Sequence, residues 1–291
     1  MRVTNNSIFN SLLSDINRNR EQLAKIQNKV ASGKSVEKPS DGGFAYSRGQ
    51  SIQELLQKNE RYQANIDEGM TQARQAQFSL DKMLDELANA KQQAVRGANE
   101  TLYTDSDFEI LADNVASIKE NIQVLANTKS GDRYLFSGTA TQTQAFTESG
   151  GTVSYNGNSD ALSVQISDSA EVNVGVDGTQ LTSVFSTLEN LEQALRNEDG
   201  DQVNALLDDV DAAVNTVSSL SADVGSNINK MDFVYQQFED AGINSEKELS
   251  RLVDTDYAEA LANLQKYQVA YQSALEANSR LIQTSLVNLL R

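Results

Sequence analysis

The two ends of the chain carry apolar side chains at alternating three- and four-residue spacings, and this pattern restricts the fold more than any motif between them. Near the start the stripe runs from Phe9 to Val30, and near the finish it runs from Tyr257 to Leu281. Such heptads form helices that bury a narrow seam against other helices. The ends must therefore pack on each other, on neighbouring copies, or on both, as expected of a structural subunit rather than an enzyme.

We predict that apolar residues of both ends form one surface, the terminal seam, through which copies of the chain assemble. In the first helix its members are Phe9, Leu12, Ile16, Leu23, Ile26 and Val30. In the last helix its members are Leu264, Tyr267, Tyr271, Leu275, Leu281, Ile282, Leu286 and Leu289. The simpler alternative is an ordinary seam within a single chain. Asn19, Asn59 and Asn278 also fall at heptad positions, where a polar residue can fix helix register at a cost in stability.

Long helices are predicted between the ends as well. A heptad stripe from Ile52 to Ala94 predicts a helix over residues 44–98, roughly 80 Å long at ~1.5 Å per residue. Gly69, with Ala73 and Ala76, should let a neighbouring element approach this helix closely. Further apolar stripes predict helices after residues 106, 182 and 201, the last of them interrupted at Gly242.

Residues 134–180 change character and predict a small β module. Short alternating segments rich in β-branched residues, such as TVSYNG and LSVQIS, are separated by Gly, Asn and Asp. Asn156-Gly157 is a favourable pair for a tight turn. The alternation of apolar and polar residues indicates a thin sheet that faces solvent on one side.

These elements together predict a mainly α fold. We expect a long antiparallel helical rod, or coiled coil, formed by the N- and C-terminal segments and carrying the inserted β module. Three domains follow from this interpretation. Residues 1–43 with 254–291 form a terminal coiled-coil assembly domain, residues 44–133 with 181–253 form a helical bundle domain, and residues 134–180 form the β domain.

The residue types that are absent from the sequence limit the functions that the chain can have. The chain has no Cys and no His. Disulfides and thiolate ligands are impossible, and the most common general base is absent. We predict no catalytic residue, no cofactor and no metal site. An enzyme that uses Lys and carboxylates of the β module remains an open alternative, which requires a concave pocket with converging polar groups.

The charge of the chain is strongly negative and unevenly distributed. A net charge of −17 argues against nucleic acid as a partner, because phosphate binding requires a basic surface. The first fifty residues hold eight basic and four acidic residues, whereas residues 101–253 hold seven and twenty-five. Nearly balanced ends can approach one another closely, while an acidic middle stays soluble.

No targeting segment is recognisable in the sequence. The first twenty residues lack the apolar run and small-residue cleavage site of a secretory signal peptide, and no stretch approaches eighteen uninterrupted apolar residues. From these features alone we expect no membrane association and a cytoplasmic location.

The two ends resemble those of the flagellin superfamily. The resemblance rests on the opening segment MRVTNNSIFNSLLSDINRNREQLAKIQNKVASGKSVEKPSDGGFAYSRG and on the closing segment DTDYAEALANLQKYQVAYQSALEANSRLIQTSLVNLLR. Two details are more similar to the hook-associated members than to filament flagellins. These are the start Met1-Arg2-Val3-Thr4 and the segment from Ser32-Gly33-Lys34 to Pro39-Ser40-Asp41.

The resemblance implies a ring of identical subunits between the flagellar hook and filament, with the terminal helices as its inner layer. It implies contacts with the preceding hook-associated protein, with flagellin, with the flagellar type III export apparatus, and with an export chaperone at the C-terminal helix. It also implies an extracellular location reached without a cleaved signal peptide, which replaces the cytoplasmic expectation. The alternative within the superfamily is a short filament-forming flagellin.

Overall fold

Long helices formed by both ends of the chain dominate the computed structural model, which describes residues 5–99 and 105–289. The helices are α1 (Asn5–Ser32), α2 (Gly43–Gly97), α3 (Asp105–Ala126), α4 (Leu181–Arg196), α5 (Gly200–Ala205), α6 (Leu207–Val253) and α7 (Tyr257–Leu289). Short antiparallel strand pairs lie between α3 and α4. The predicted fold class, mainly α with a small β insertion, is therefore confirmed. Among the described residues, no helix is both long and apolar enough to cross a bilayer.

The chain folds into two compact units. The first is built from Met1–Gln57 and Ala241–Arg291, and the second from Lys58–Asp240. Helices α2 and α6 each contribute to both units.

The second unit has a continuous apolar core that the heptad stripe of α2 predicts well. Ile66, Leu80, Met83 and Leu87 of α2 are all fully buried, together with Ile122 of α3, Leu188 of α4 and Val217 of α6. Packing of this kind, rather than intrinsic helix propensity, supplies most of the stability of a helix.

Gly69 of α2 is the close-approach position that the sequence predicts. A Cβ atom built at Gly69 would lie 3.0 Å from Val174 Cγ1 and 3.2 Å from Met231 Sδ. Ala73 and Ala76, on the same side of the helix, are buried as well. The missing side chain therefore offsets the cost of about 1 kcal/mol that Gly carries within a helix.

The β insertion consists of three separate two-stranded ladders, whereas the sequence suggested one thin sheet. The strands are β1 (Lys129–Ser130), β2 (Arg133–Tyr134), β3 (Phe146–Ser149), β4 (Thr152–Tyr155), β5 (Ser163–Gln165) and β6 (Glu171–Asn173). Each strand pairs only with its immediate neighbour in this numbering, and all three pairs are antiparallel. The strands are too short to add a further partner.

The tight turn of the β3–β4 hairpin is Gly150-Gly151, so the prediction of Asn156-Gly157 is wrong. Gly150 and Gly151 have φ values of 64° and 87° and connect the paired residues Ser149 and Thr152. Both positions require positive φ, which glycine adopts without strain. Asn156 instead follows β4 and donates from its side chain to Thr147 Oγ1 at 2.8 Å.

The insertion shares a core with the helices. Phe146 of β3 contacts Phe185 of α4 with ring centroids 4.8 Å apart, and the amide of Val153 in β4 donates to Glu189 Oε1 at 2.6 Å. Val172 and Ile166 are buried in the same cluster. Residues 134–180 thus belong to the compact unit that contains α3 and α4, which differs from the prediction of a separate β domain.

Helix α6 runs without a break from Leu207 to Val253, so the predicted interruption at Gly242 is also wrong. A Cβ atom built at Gly242 would meet no atom within 4 Å. A single glycine within a helix costs only about 1 kcal/mol. A helix of this length, packed along other parts of its surface, tolerates that cost.

Candidate assembly surface

Helices α1 and α7 pack side by side within the first unit. Helix α1 ends, and α7 begins, at a common point where the backbone of Gly33 accepts a hydrogen bond from Thr255 N at 2.9 Å. The two helices leave this point together and are therefore antiparallel. This is the arrangement that the paired apolar stripes predict.

Most residues of the terminal seam whose side chains are described are only half buried. Ile16 is buried, with 8% of its surface exposed. The half-buried members are Leu12, Leu23, Ile26, Val30, Leu264, Tyr267 and Tyr271. Two helices alone cannot enclose such a stripe, because each covers only one side of the other. The two helices that carry these residues pack on each other within one chain, and the part of the residues in contacts between copies remains a prediction.

Leu275 is more exposed than the other described members of the terminal seam, and its part in contacts between copies stays a prediction. Its side chain is 43% exposed, while its neighbour Ala274 is half buried. The three- and four-residue steps of a heptad allow either residue at this position. The side chains of Phe9, Leu281, Ile282, Leu286 and Leu289 lie outside the described residues.

A second group of apolar side chains on these helices was not identified from the sequence. Leu13 is 39% exposed, Leu261 is 51% exposed and Val269 is 56% exposed. We call these three residues and Leu275 the outer apolar group. Their apolar character is visible in the sequence, but a single heptad reading does not separate such residues from ordinary surface variation.

The asparagines at heptad positions differ in their surroundings. Asn59 on α2 is buried and Asn19 on α1 is half buried. Asn278 on α7 has a buried Oδ1 atom with no hydrogen-bond partner within the part of the chain that the structure describes. A buried carbonyl oxygen without a donor weakens the contact that encloses it.

The meeting point of α1 and α7 is a compact set of backbone contacts, which we call the terminal clasp (residues 33–36 and 253–257). Lys34 and Asp254 form an isolated antiparallel bridge. The amide of Ser35 donates to the carbonyl of Val253 at 2.7 Å, and the Ser35 hydroxyl donates to the same oxygen at 3.1 Å. Gly33 ends α1 with a φ of 73°.

The connector between the terminal clasp and α2 (residues 37–42) is also ordered by hydrogen bonds. The Asp41 carboxylate accepts from the amides of Glu37 and Lys38 at 3.3 and 3.1 Å and closes a short 3-10 helix, Pro39–Asp41. The amide donors, the one from Glu37 first, stabilise the charged form and lower the pKa of Asp41 below its ordinary value.

An open groove of about 700 Å³ lies between α1, the connector and the start of α7. Lys25 and Lys29 line one side, and Asp256 and Glu259 line the other. The carboxylate of Asp256 caps α7 by accepting from the amide of Ala258 at 2.9 Å. The arrangement offers mixed charge suited to contact with another protein surface. Among the described residues, no group of three or more acidic side chains is placed to hold a metal ion.

Comparison with known protein families finds a match at each end of the chain. Residues 3–141 match the bacterial flagellin N-terminal helical region, and residues 207–290 match the bacterial flagellin C-terminal helical region. The two matches leave out most of the β insertion and α4, and they cover both helices of the terminal seam.

Individual relatives extend over nearly the whole chain. Flagellar hook-associated protein 3 of Escherichia coli (strain K12) is 23% identical over 306 residues, which span 95% of this chain and 96% of that protein. A flagellar hook-associated protein from Vibrio parahaemolyticus has a similar structure, with a TM-score of 0.66, 21% identity, and coverage of 74% of this chain and all of that chain. The flagellar junction protein FlgL from Legionella pneumophila superposes with a TM-score of 0.62 at 15% identity, covering 71% of this chain and 99% of that chain. With both terminal helical regions matched, the chain belongs to the flagellin superfamily.

Proposed function

We propose that this chain is a structural subunit at the junction between flagellar hook and filament. The observation that carries the proposal is the half-buried terminal seam, flanked by the exposed outer apolar group. Two helices that leave this much apolar surface uncovered need further helices around them. The name of the Escherichia coli relative and that of the Legionella pneumophila structure support a position at the hook-associated junction rather than along the filament.

In this function, copies of the chain form a ring in which α1 and α7 of each subunit are covered by those of its neighbours. Complete burial of one Leu side chain contributes about 1.5–3 kcal/mol. Covering the outer apolar group therefore contributes several kcal/mol per subunit. One end of the ring contacts the preceding hook-associated protein, and the other provides the template on which flagellin assembles.

Delivery to the junction is part of the same proposal. The subunit passes through the flagellar type III export apparatus without a cleaved signal peptide and acts outside the cell. An export chaperone covers the C-terminal helix beforehand, which prevents the apolar surfaces of α7 from associating too early. The proposal assigns the chain no catalytic residue, cofactor or metal.

A short filament-forming flagellin is the second candidate, favoured by the match of both ends to flagellin regions. The two candidates differ in one observable property. A junction subunit adds to a hook preparation and stops, whereas a flagellin polymerises indefinitely. Long filaments formed by the purified protein alone would therefore favour the second candidate.

The test combines a hook preparation with matched variants of α7. We expect wild-type protein to sediment with hooks that carry the preceding hook-associated protein, and to add a short segment of fixed length in electron micrographs. The double variant L261K/V269K should reduce binding at least tenfold, because it places two charges in the outer apolar group. The control Q268K/Q272K adds the same charges at exposed polar positions of the same helix and should bind normally. Equal binding by both double variants would contradict the proposed surface.

A further inference from the structure

We infer that the β5–β6 hairpin is a strap across α2 whose base is a permanent part of the core and whose tip opens and closes on an exposed polar latch. The strap consists of residues 162–174, and the latch is the contact of Asp168 with Lys58 and Tyr62. All of these residues lie within the second compact unit, so the strap is separate from the surface on which the proposed function rests.

The base of the strap is attached to α2 by apolar contacts. A Cβ atom built at Gly69 would lie 3.0 Å from Val174 Cγ1 and 3.5 Å from Val164 Cγ2. Val172 and Val174 are each only 2% exposed, and both belong to the core of the unit. The base therefore cannot leave α2 without exposing buried apolar surface, which is unfavourable in water.

The tip of the strap is held by polar side chains instead. The hydroxyl of Tyr62 donates to Asp168 Oδ1 at 2.8 Å, and Lys58 Nζ donates to Oδ2 of the same carboxylate. The side chain of Asp168 is 71% exposed and that of Lys58 is 38% exposed. Exposed ion pairs of this kind contribute little to stability and are weakened by salt. The latch can therefore open while the base stays closed.

The strap lies beside a part of α2 that precedes the contact with the end of α3. Helix α3 ends just before Thr128, whose hydroxyl accepts from Ser79 of α2 at 3.1 Å. The strap contacts α2 at residues 58–69, before that point in the chain. Ile66 of α2 and Ile166 of the strap are both buried. On this stretch the strap therefore helps to enclose the apolar side of α2, as α3 does farther along the helix.

The latch also positions an aromatic pair between α2 and α6. The ring of Tyr62 stacks on that of Phe238 in α6, with centroids 5.6 Å apart and an angle of 16° between the planes. Since Asp168 holds the Tyr62 hydroxyl, one carboxylate orders the strap, α2 and α6 together. When the latch opens, Tyr62 loses this support, and Ile166, two residues before Asp168, should become accessible to solvent.

Salt should shift the equilibrium between the closed and the open tip. The Debye length falls from roughly 30 Å at about 0.01 M ionic strength to roughly 3 Å at about 1 M. Screening on this scale weakens the attraction between Lys58 and Asp168 but not the apolar contacts of the base. We therefore expect the tip to open more often at high salt, while the base stays in place.

The absence of cysteine from the chain allows a direct test with single thiols. I166C places a thiol next to the tip and V174C places one at the base, where the native side chains are 1% and 2% exposed. The rate at which iodoacetamide labels each full-length variant, relative to free cysteine at the same salt, measures how often that site opens. Between about 0.01 M and about 1 M NaCl, labelling of I166C should accelerate at least threefold and that of V174C less than twofold.

Removal of the latch carboxylate provides the matched comparison. D168A removes both acceptor oxygens, so it should accelerate labelling of I166C at least fivefold at low salt and abolish its salt dependence. The control D160A removes the same side chain at an exposed position just before the strap, and should leave both rates unchanged. Equal labelling of I166C in the two backgrounds would overturn the inference. Equal acceleration of I166C and V174C by D168A would also overturn it, because the strap would then open as a whole.

Hydrogen exchange in chains without any cysteine provides a second measurement, which does not depend on how the core tolerates a thiol. The amide of Ile166 donates to Ala170 O at 3.0 Å near the tip, whereas the amide of Val174 donates to Leu162 O at 2.8 Å at the base. In D168A the Ile166 amide should exchange at least threefold faster than in the control variant, with the Val174 amide unchanged. Equal exchange of Ile166 in both variants would overturn the inference. If the protein does not bind hooks at all, the proposed function fails while these measurements still decide whether the strap opens at its tip.

Discussion

The ammonium group of Lys119 donates a hydrogen bond to the carboxylate of Glu192 at 3.0 Å, and this ion pair is enclosed between α3 and α4. The Lys119 side chain is only 7% exposed and also donates to the carbonyl of Gly151 at 3.1 Å. The lysine therefore joins two helices to the β3–β4 hairpin. Removing Lys119 would leave the Glu192 carboxylate, which is only 17% exposed, with Arg196 as its remaining ion-pair partner among the described residues.

We expect K119A to lower the free energy of unfolding by about 3 kcal/mol, since breaking a buried ion pair costs roughly 3–5 kcal/mol. Urea unfolding followed by circular dichroism measures the effect. K82A is the matched control, because Lys82 forms an exposed pair with Asp85 at 3.0 Å. Its loss should change stability by less than about 1 kcal/mol. A K119A protein as stable as K82A would contradict the role assigned to Lys119.

The same ion pair predicts a pH dependence. Burial alone would raise the pKa of Glu192, but hydrogen bonds from Lys119 and Arg196 outweigh it and lower this pKa below the ordinary 4.5. A carboxyl whose pKa is lowered in the folded state contributes its full stabilisation of the folded protein above pH 4.5. That contribution is lost as the pH falls through the folded value.

The variant E192Q should therefore be less stable than wild type at neutral pH, and the difference should shrink as the pH falls below 4.5. Urea unfolding at several pH values between 7 and 3 measures this difference. Comparison with wild type at each pH removes the effect of other carboxylates that titrate in the same range. A difference that stays constant over the whole range would contradict the assignment.

Glu198 is a site where a stabilising substitution is expected. Helix α4 ends at Arg196 with Asn197 as its C-cap, and Glu198 then adopts a φ of 57°, which is unfavourable for a residue with a side chain. Its amide donates to Leu195 O and that of Asp199 donates to Ala194 O, the pattern of a helix end that usually carries glycine.

We expect E198G to raise the free energy of unfolding by up to about 1 kcal/mol, because glycine adopts positive φ without a steric penalty. Thermal unfolding measures the shift. N197G is the control, since Asn197 has an ordinary helical φ of −86° and gains nothing from glycine. An equal loss of stability in both variants would show that Glu198 is not strained.

Heptad spacing predicted the long helices and most of the buried residues, because burial along a helix repeats with a period that is visible in the sequence. It could not choose between Ala274 and Leu275, since both steps of a heptad are allowed and the partner helix decides. The sequence also predicted an interruption of α6 at Gly242. This was wrong because packing along the rest of the helix outweighs the tendency of one glycine to interrupt it.

The β insertion was harder to predict, because strand pairing depends on contacts that are distant in sequence. The turn at Gly150-Gly151 competes locally with Asn156-Gly157, and the pairing of Phe146 with Tyr155 selects the first. The terminal clasp was missed for the same reason. In the sequence Gly33 stands out only within a segment that resembles the hook-associated members, whereas its backbone accepts a hydrogen bond from Thr255, near the opposite end of the chain.

Asn278 provides the sharpest test of the α1–α7 contact. Its buried Oδ1 has no hydrogen-bond partner among the described residues. Leu12 lies as many residues before Gly33 as Asn278 lies after Tyr257, so we expect the two positions to lie at similar levels on these antiparallel helices. Replacing it with leucine removes the unsatisfied oxygen and adds apolar contact. Each of these changes contributes on the order of 1 kcal/mol.

We expect N278L to increase the hydrogen-exchange protection of the distal amides of α1 and α7 several-fold in the monomer. It should also allow alternative registers there, because an apolar position specifies register less strictly than a polar one. The cysteine pair L12C/A274C, which is one turn out of register, measures this loss. Its disulfide should close more slowly in an otherwise wild-type chain than in a chain that also carries N278L. Q272L is the control, because it adds the same side chain at an exposed position of α7. If N278L and Q272L behave alike, the amide of Asn278 has no part in aligning the two helices.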